Sequence, residues 1–139
     1  MSFVLDNSVA MLWLLPQSNP AGGELAEKVL AQLQETGARV PSLWSLEAAN
    51  VMAKSQRLEK ITLAQASAFV ALLDALDITV DVSTAQRAMH ATMDLARQFS
   101  LSAYDAAYLE LALREGLPLA TLDVKLQSAA REAGVRLLA

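Results

Sequence analysis

Residues 2–6, Ser2-Phe3-Val4-Leu5-Asp6, form a short apolar run that ends in an acid. Its length and residue types predict a first β-strand from Ser2 to Leu5, and the lack of a basic segment argues against a signal peptide. The run from Leu117 to Leu122 is also strand-like and also ends in an acid, Asp123. If these strands are parallel, their carboxyl ends lie at one edge of the sheet, so Asp6 and Asp123 share a rim.

Helical stretches separate the strand-like runs along the whole chain. Such alternation predicts βα units around a mainly parallel sheet, and the absence of repeats or linkers predicts a single α/β domain over residues 1–139. A short helix from Ser8 to Leu15 ends at the proline-rich segment 16–20. The other predicted helices cover residues 21–35 (stopped by Gly37), 45–57, 62–76, 84–99, 102–116 and 124–133, and the other strands cover 39–40, 78–82 and 135–138.

The composition excludes several protein classes. With 54% hydrophobic and 19% charged residues the chain is not disordered, and no apolar run approaches the roughly 20 residues that span a bilayer. The absence of cysteine excludes disulfides and thiolate metal sites, and favours a cytoplasmic location. The single histidine, His90, argues against a structural zinc centre and is expected to be a structural or surface residue.

Four acids are candidates for a functional site: Asp6, Glu47, Asp105 and Asp123. Glu47 and Asp105 have mostly apolar neighbours at helical spacing and no basic one, so burial of either carboxylate would need a cation. Structural roles are the alternative. Asp6 and Asp123 would then cap the helices that follow them, Asp105 would be a first-turn acid favoured by the helix dipole, and Glu47 would be exposed.

Carboxylates that converge on one rim repel one another unless a hard cation binds among them. Mg²⁺ and Mn²⁺ prefer oxygen ligands, and such sites hydrolyse phosphodiesters. The chain has no cysteine nucleophile and no glycine-rich phosphate loop, so metal-assisted hydrolysis is the favoured chemistry. The net charge of −4 is unusual for a nucleic-acid-binding protein. However, setting aside four site acids of the fifteen leaves eleven acids against eleven Lys and Arg.

Four motifs resemble those of a known family. They are Leu5-Asp6-Asn7-Ser8-Val9, Glu47-Ala48-Ala49-Asn50, Leu101-Ser102-Ala103-Tyr104-Asp105-Ala106-Ala107-Tyr108 and Ala120-Thr121-Leu122-Asp123-Val124-Lys125-Leu126. In this order and over almost the whole chain, they resemble the PIN-domain nucleases, and most closely the VapC-type toxins of bacterial toxin–antitoxin pairs.

The resemblance implies a three-layer α/β/α fold and Mg²⁺- or Mn²⁺-dependent endonucleolytic cleavage of RNA. It also implies that the metal ligands that activate water are Asp6, Glu47, Asp105 and Asp123. Ser8 and Thr121 match accessory polar positions, although a helix N-cap and an ordinary strand threonine are equally compatible with them. Asn50 either supports Glu47 from one turn away or is a solvated helix residue.

The resemblance further implies a homodimer and a cognate antitoxin. The segment Trp13-Leu14-Leu15 and Trp44 are expected near the Asp6 rim, either as core residues or as an apolar groove for an antitoxin with hydrophobic anchors and one basic residue. Lys54, Arg57 and Lys60 either contact RNA phosphates or form a solvated face.

Two alternatives remain at this point. A PIN nuclease that acts in RNA maturation would have the same chemistry without a toxin role. A non-catalytic receiver-like module also places acids at strand ends, but it is expected to have a second acid beside the first, whereas Asn7 and Ser8 follow Asp6.

Overall fold

The computed structural model describes all 139 residues and contains a four-stranded, fully parallel sheet. The strands are β1 (Phe3–Leu5), β2 (Ala38–Val40), β3 (Ile78–Val80) and β4 (Leu119–Ala120) in the order β3-β2-β1-β4. All three residues of β1 are fully buried. Because successive side chains of a strand point to opposite faces, helices must cover both faces of β1. The predicted α/β fold with a parallel sheet is confirmed.

Eight α-helices surround the sheet and connect its strands. The helix from Ala103 to Glu115 buries every residue from Ala106 to Ala112, which makes it the main packing partner of the sheet face that it covers. The helices are α1 (Asn7–Ala10), α2 (Gly23–Thr36), α3 (Leu43–Arg57), α4 (Leu63–Ala75), α5 (Thr84–Arg87), α6 (Met93–Phe99), α7 (Ala103–Glu115) and α8 (Val124–Ala133).

The turn between α2 and β2 depends on a glycine. Gly37 ends α2 as predicted, but its φ of 71° and ψ of 175° lie outside the left-handed helical region expected of a C-terminal cap. A Cβ atom at this position would lie 2.5 Å from Asp77 Oδ2. Any other residue would therefore be strained here and would also push against Asp77.

Two predicted helices differ from the structure. The helix expected from Ser8 to Leu15 is α1 followed by a 3₁₀ turn over Met11–Trp13. The helix expected over residues 84–99 is divided into α5 and α6 by a π-helical turn, Ala88–Thr92, in which exposed His90 has φ −123° and ψ −108°. Apolar periodicity continues across this kink, so the pattern could not reveal it.

Three predicted strands are shorter than expected. The strand predicted over residues 78–82 ends at Val80, and the strand predicted over 117–122 pairs only at Leu119 and Ala120. The predicted final strand, 135–138, is reduced to an isolated parallel bridge between Leu119 and Leu137. None of the helices is both long enough and apolar enough to cross a membrane.

Candidate active site

The candidate site begins where two neighbouring strands end. Leu5 of β1 is paired with Ala120 of β4, and the Asp6 backbone N–H donates to the Ala120 carbonyl at 3.0 Å. The parallel register therefore brings Asp6 next to Thr121, with Asp123 two residues further on. The sequence prediction that Asp6 and Asp123 share one rim agrees with this geometry.

Two hydroxyl groups hold the Asp6 side chain. Its Oδ2 accepts hydrogen bonds from Ser8 Oγ at 2.7 Å and from Thr121 Oγ1 at 2.6 Å. Burial raises the pKa of Asp6, the charge of Asp123 raises it further, and the two hydroxyls partly offset the rise. Ser8 and Thr121, predicted as accessory residues, thus both contact an acid of the site.

Thr121 also connects Asp6 to Asp123. The Asp123 backbone N–H donates to Thr121 Oγ1 at 3.0 Å, while Thr121 donates its own proton to Asp6. Asp123 Oδ1 accepts from the Leu126 backbone N–H at 2.9 Å and caps α8. Asp123 therefore has the structural role considered for it, but that role occupies only one of its two carboxylate oxygens.

Glu47 reaches the site from α3 and is held by a residue from α7. The hydroxyl of Tyr108 donates a hydrogen bond to Glu47 Oε1. Burial raises the pKa of half-buried Glu47, and the charges of Asp6 and Asp105 raise it further. Tyr108 is fully buried, and its own pKa is raised, first by burial and then by the charge of Asp6. It is therefore a fixed proton donor.

Asp105 enters from the first turn of α7. Its backbone N–H donates to Ser102 Oγ at 3.1 Å, so Ser102 caps the N-terminus of this helix. Burial raises the pKa of the Asp105 carboxyl, and the charges of Asp123 and Asp6 raise it further. Lys125 opposes this rise, and none of the four acids forms a salt bridge with a basic side chain.

The four acids thus converge, and their chemistry fits a hard divalent cation. Asp6 Oδ1, Glu47 Oε2 and Asp123 Oδ2 accept no hydrogen bond from another side chain, so each of these three acids keeps one oxygen without a side-chain partner. The side chains as they stand form no ready-made group of three or more acids or histidines that could hold a metal ion. Carboxylate oxygens without basic partners are the donors that Mg²⁺ and Mn²⁺ prefer.

The remaining residues singled out in the sequence lie outside this cluster. Asn50 is exposed and makes no hydrogen bond to Glu47, so the support predicted from Asn50 comes from Tyr108 instead. Tyr108 was missed as a site residue, although its spacing of three from Asp105 places both on one helix face. Trp44 is buried, and Trp13 donates its indole N–H to the Ala26 carbonyl at 2.9 Å, so both pack in the protein. The basic residues Lys54, Arg57 and Lys60 are exposed.

A second group of buried acids has a basic partner and was also missed. Arg114 contacts both oxygens of Asp81, at 3.1 and 2.7 Å, and its Nε donates to Glu110 at 2.8 Å. The guanidinium lowers the pKa of Asp81, in contrast to the raised values at the rim. These residues form an ion-paired cluster that joins α7 to the end of β3.

Comparisons with known proteins agree with this architecture. The solved structures that match include the crystal structure of PAE2754 from Pyrobaculum aerophilum, with a TM-score of 0.64 and 20% sequence identity over 93% of this chain and 84% of that chain. This likeness shows the fold. A search of curated protein sequences finds no match. The family model "PIN domain" matches residues 3–132, which excludes the receiver-like alternative. The chain therefore belongs to the PIN-domain family, whose members are generally nucleases that use divalent metal ions.

Proposed function

We propose that this protein is a Mg²⁺- or Mn²⁺-dependent endoribonuclease of the cytoplasm that hydrolyses RNA phosphodiester bonds. The observation that carries the proposal is the convergence of Asp6, Glu47, Asp105 and Asp123, none of which forms a salt bridge with a basic side chain. Keeping these carboxylates ionised and close together costs free energy in the metal-free protein. A site that binds divalent cations compensates for this cost, whereas a purely structural cluster does not.

In this proposal the four acids would hold the ion, and the hydroxyls of Ser8 and Thr121 would keep Asp6 in place. A divalent ion in such a site polarises the phosphoryl oxygens and lowers the pKa of water. The chain's own residues set the geometry. Thr121 holds Asp6 and the start of α8 together. Ser102 caps α7 and so fixes the first turn of that helix, which carries Asp105.

Cleavage of a labelled single-stranded RNA tests this function. Protein treated with EDTA and then dialysed is expected to be inactive, and to regain activity with Mg²⁺ or Mn²⁺. Asp105→Asn, purified in parallel, controls for contaminating nuclease and is expected to stay inactive with metal. Undiminished cleavage in EDTA by the wild-type protein, with none by the variant, would contradict metal dependence.

We further propose that the protein is the toxin of a type II toxin–antitoxin pair, inhibited by an antitoxin segment that crosses the acidic rim. Trp13 and Trp44 contribute less to such a surface than expected, since they pack in the protein. Support comes instead from exposed apolar residues beside the acids: Leu46 precedes Glu47, and Val124 follows Asp123. An antitoxin arginine would pair with the carboxylates and obstruct the metal.

The antitoxin proposal is tested with the product of a short reading frame adjacent to the gene. Co-expression is expected to relieve toxicity, and hydrogen exchange is expected to show protection around Leu46 and Val124. Protection confined to the opposite face, with the acids still accessible, would contradict it. A PIN nuclease of RNA maturation, the second candidate, would have the same metal dependence but would not arrest growth when expressed alone.

A homodimer is the last part of the proposal. Helix α4 exposes Leu63 and Val70, which lie seven residues apart on one face of the helix and form an apolar surface there. Burying it against a second copy would remove this surface from water. Sedimentation velocity is expected to show a dimer that Val70→Glu dissociates, and a monomer at every concentration would exclude it.

A further inference from the structure

Tyr108 is a buried tyrosine for which the proposed chemistry has no direct use. It lies on α7 one turn after Asp105, and its side chain is fully buried. Its hydroxyl donates to Glu47 Oε1 on α3, across 61 residues of sequence. A single helix thus carries one acid of the site and the group that holds another acid of the site.

This contact restricts a side chain that would otherwise be mobile. Glu47 is half-buried, and its carboxylate lies at the end of a side chain with three rotatable bonds. The hydroxyl of Tyr108 is its one side-chain hydrogen-bond partner. Ordering such a side chain when a ligand binds costs rotamer entropy. A partner that already orients the carboxylate removes part of that cost before the ligand arrives.

The chemistry of the pair also suits this role. The Tyr108 hydroxyl donates its proton to Glu47 and carries no positive charge, so it holds the carboxylate without neutralising it. The bond uses Oε1 alone and leaves Oε2 without a side-chain partner. A basic residue in the same place would neutralise Glu47 and weaken any attraction for a cation.

We propose that Tyr108 is a positioning residue that holds Glu47 ready to bind the divalent cation. The proposal rests on the proposed function, because it assumes that Glu47 is a metal ligand. It differs from a purely structural role, in which the hydrogen bond merely satisfies a buried hydroxyl. The two roles predict different effects on metal affinity at equal protein stability.

Isothermal titration of the metal-free protein with Mn²⁺ separates them. Tyr108→Phe keeps the ring and is expected to weaken Mn²⁺ binding about 10- to 100-fold, the range found when the partner of a metal ligand is removed. Tyr104→Phe is the matched control: Tyr104 is the chain's other tyrosine, on the same helix but exposed, and its variant should bind like wild type. Circular dichroism monitors folding of both.

A double-mutant cycle provides the second readout. In a Glu47→Ala background, Tyr108→Phe is expected to cause no further loss of Mn²⁺ affinity, because the group that it positions is gone. If Tyr108→Phe does not fold, Glu47→Asp replaces it. That variant keeps the charge but withdraws the carboxylate by one methylene from Tyr108, and a comparable loss of affinity is expected.

The outcomes distinguish this inference from the proposed function. Failure of the wild-type protein to bind Mn²⁺ would overturn the proposed function itself. Wild-type binding with unchanged affinity in folded Tyr108→Phe would overturn only the positioning role. An equal loss of affinity with and without the Glu47 carboxylate would also overturn it, since Tyr108 would then act through something else.

Discussion

Two aspartates follow parallel strands at the same edge of the sheet, and their surroundings are opposite. Asp81 follows β3 and is bound through both oxygens by Arg114, with the shorter contact at 2.7 Å. Asp6 follows β1, has two hydroxyl partners and no basic one, and lies near other acids. The pKa of Asp81 is lowered, whereas that of Asp6 is raised.

The difference separates an acid that stabilises the fold from acids that are available to a ligand. The charge of Asp81 is neutralised within the protein, and its cluster with Arg114 and Glu110 links β3 to α7. The charges at the Asp6 rim have no arginine that neutralises them as Arg114 neutralises Asp81. Perturbed carboxylates without counter-charges are typical of functional sites.

The largest expected effect is loss of activity at the rim. Asp6→Asn, Asp105→Asn and Asp123→Asn should each lower RNA cleavage on the order of a thousandfold, since a bound divalent ion contributes several kcal/mol to charge stabilisation. Metal-free stability should stay the same or increase, because asparagine keeps the caps and removes a repelling charge. Asp94→Asn, at an exposed position, is the control. A large fall in melting temperature for the rim variants would show that these acids are structural.

The ion-paired cluster should respond in the opposite way. Arg114→Met keeps much of the stem but leaves Asp81 and Glu110 buried without their partner, which should cost about 3 kcal/mol of unfolding free energy. Arg97→Met is the control, because the Arg97–Asp94 pair is exposed and such pairs contribute roughly 0–1 kcal/mol. Chemical denaturation measures both. If Arg114→Met keeps normal stability but loses RNA cleavage, the Arg114 cluster is functional and not structural, which would contradict the comparison.

A smaller effect is expected where a hydroxyl supports the rim. Thr121→Val removes the hydrogen bond to Asp6 Oδ2 and the acceptor for the Asp123 backbone N–H, and should lower metal affinity and activity about tenfold. Thr79→Val, on β3, removes an exposed hydroxyl of the same kind as a control. Mn²⁺ titration and RNA cleavage give the readout, and equal behaviour of the two variants would leave Thr121 without a role at the site.

The smallest expected effect is on pH dependence without metal. Asp105 has a raised pKa, so its ionised form destabilises the fold above that pKa, and this cost disappears as the pH falls towards the unfolded value of 3.8. The difference in melting temperature by which Asp105→Asn exceeds the wild-type protein should therefore shrink as the pH falls from 7 to about 4.

Asp81 supplies the contrast in the same measurement. Its pKa is lowered, so its contribution to stability is fully present above 3.8 and is lost only as the pH falls through the lower folded value. The loss of stability of Asp81→Asn relative to the wild-type protein should therefore stay constant over the same pH range when it is followed by calorimetry. Parallel pH curves for the two variants would show that the two environments do not differ.

Residues adjacent to strands were the part of the site that the sequence could reveal. The strand-like runs before Asp6 and Asp123, together with the helical alternation between them, predict parallel neighbours, and the pairing of Leu5 with Ala120 agrees with this. The capping spacing of Ser102 and Asp105 is also local, and the structure has that cap.

Contacts that join distant helices were not predictable in the same way. Tyr108 and Glu47 are 61 residues apart, and Arg114 and Asp81 are 33 apart, so neither pair follows a helical or strand period. Asn50 has the right spacing from Glu47 but is exposed, because burial of α3 is decided by its packing on other elements. The kink at His90 likewise depends on how α5, α6 and α7 pack together.

Anomalous diffraction from crystals soaked in Mn²⁺ tests the central claim most directly. A manganese peak is expected among Asp6, Glu47, Asp105 and Asp123, with none beside Asp81 and Glu110, where Arg114 already supplies the positive charge. An empty rim at saturating Mn²⁺, or a peak only at the cluster that contains Arg114, would contradict the division between the two groups of acids and the nuclease function built on it.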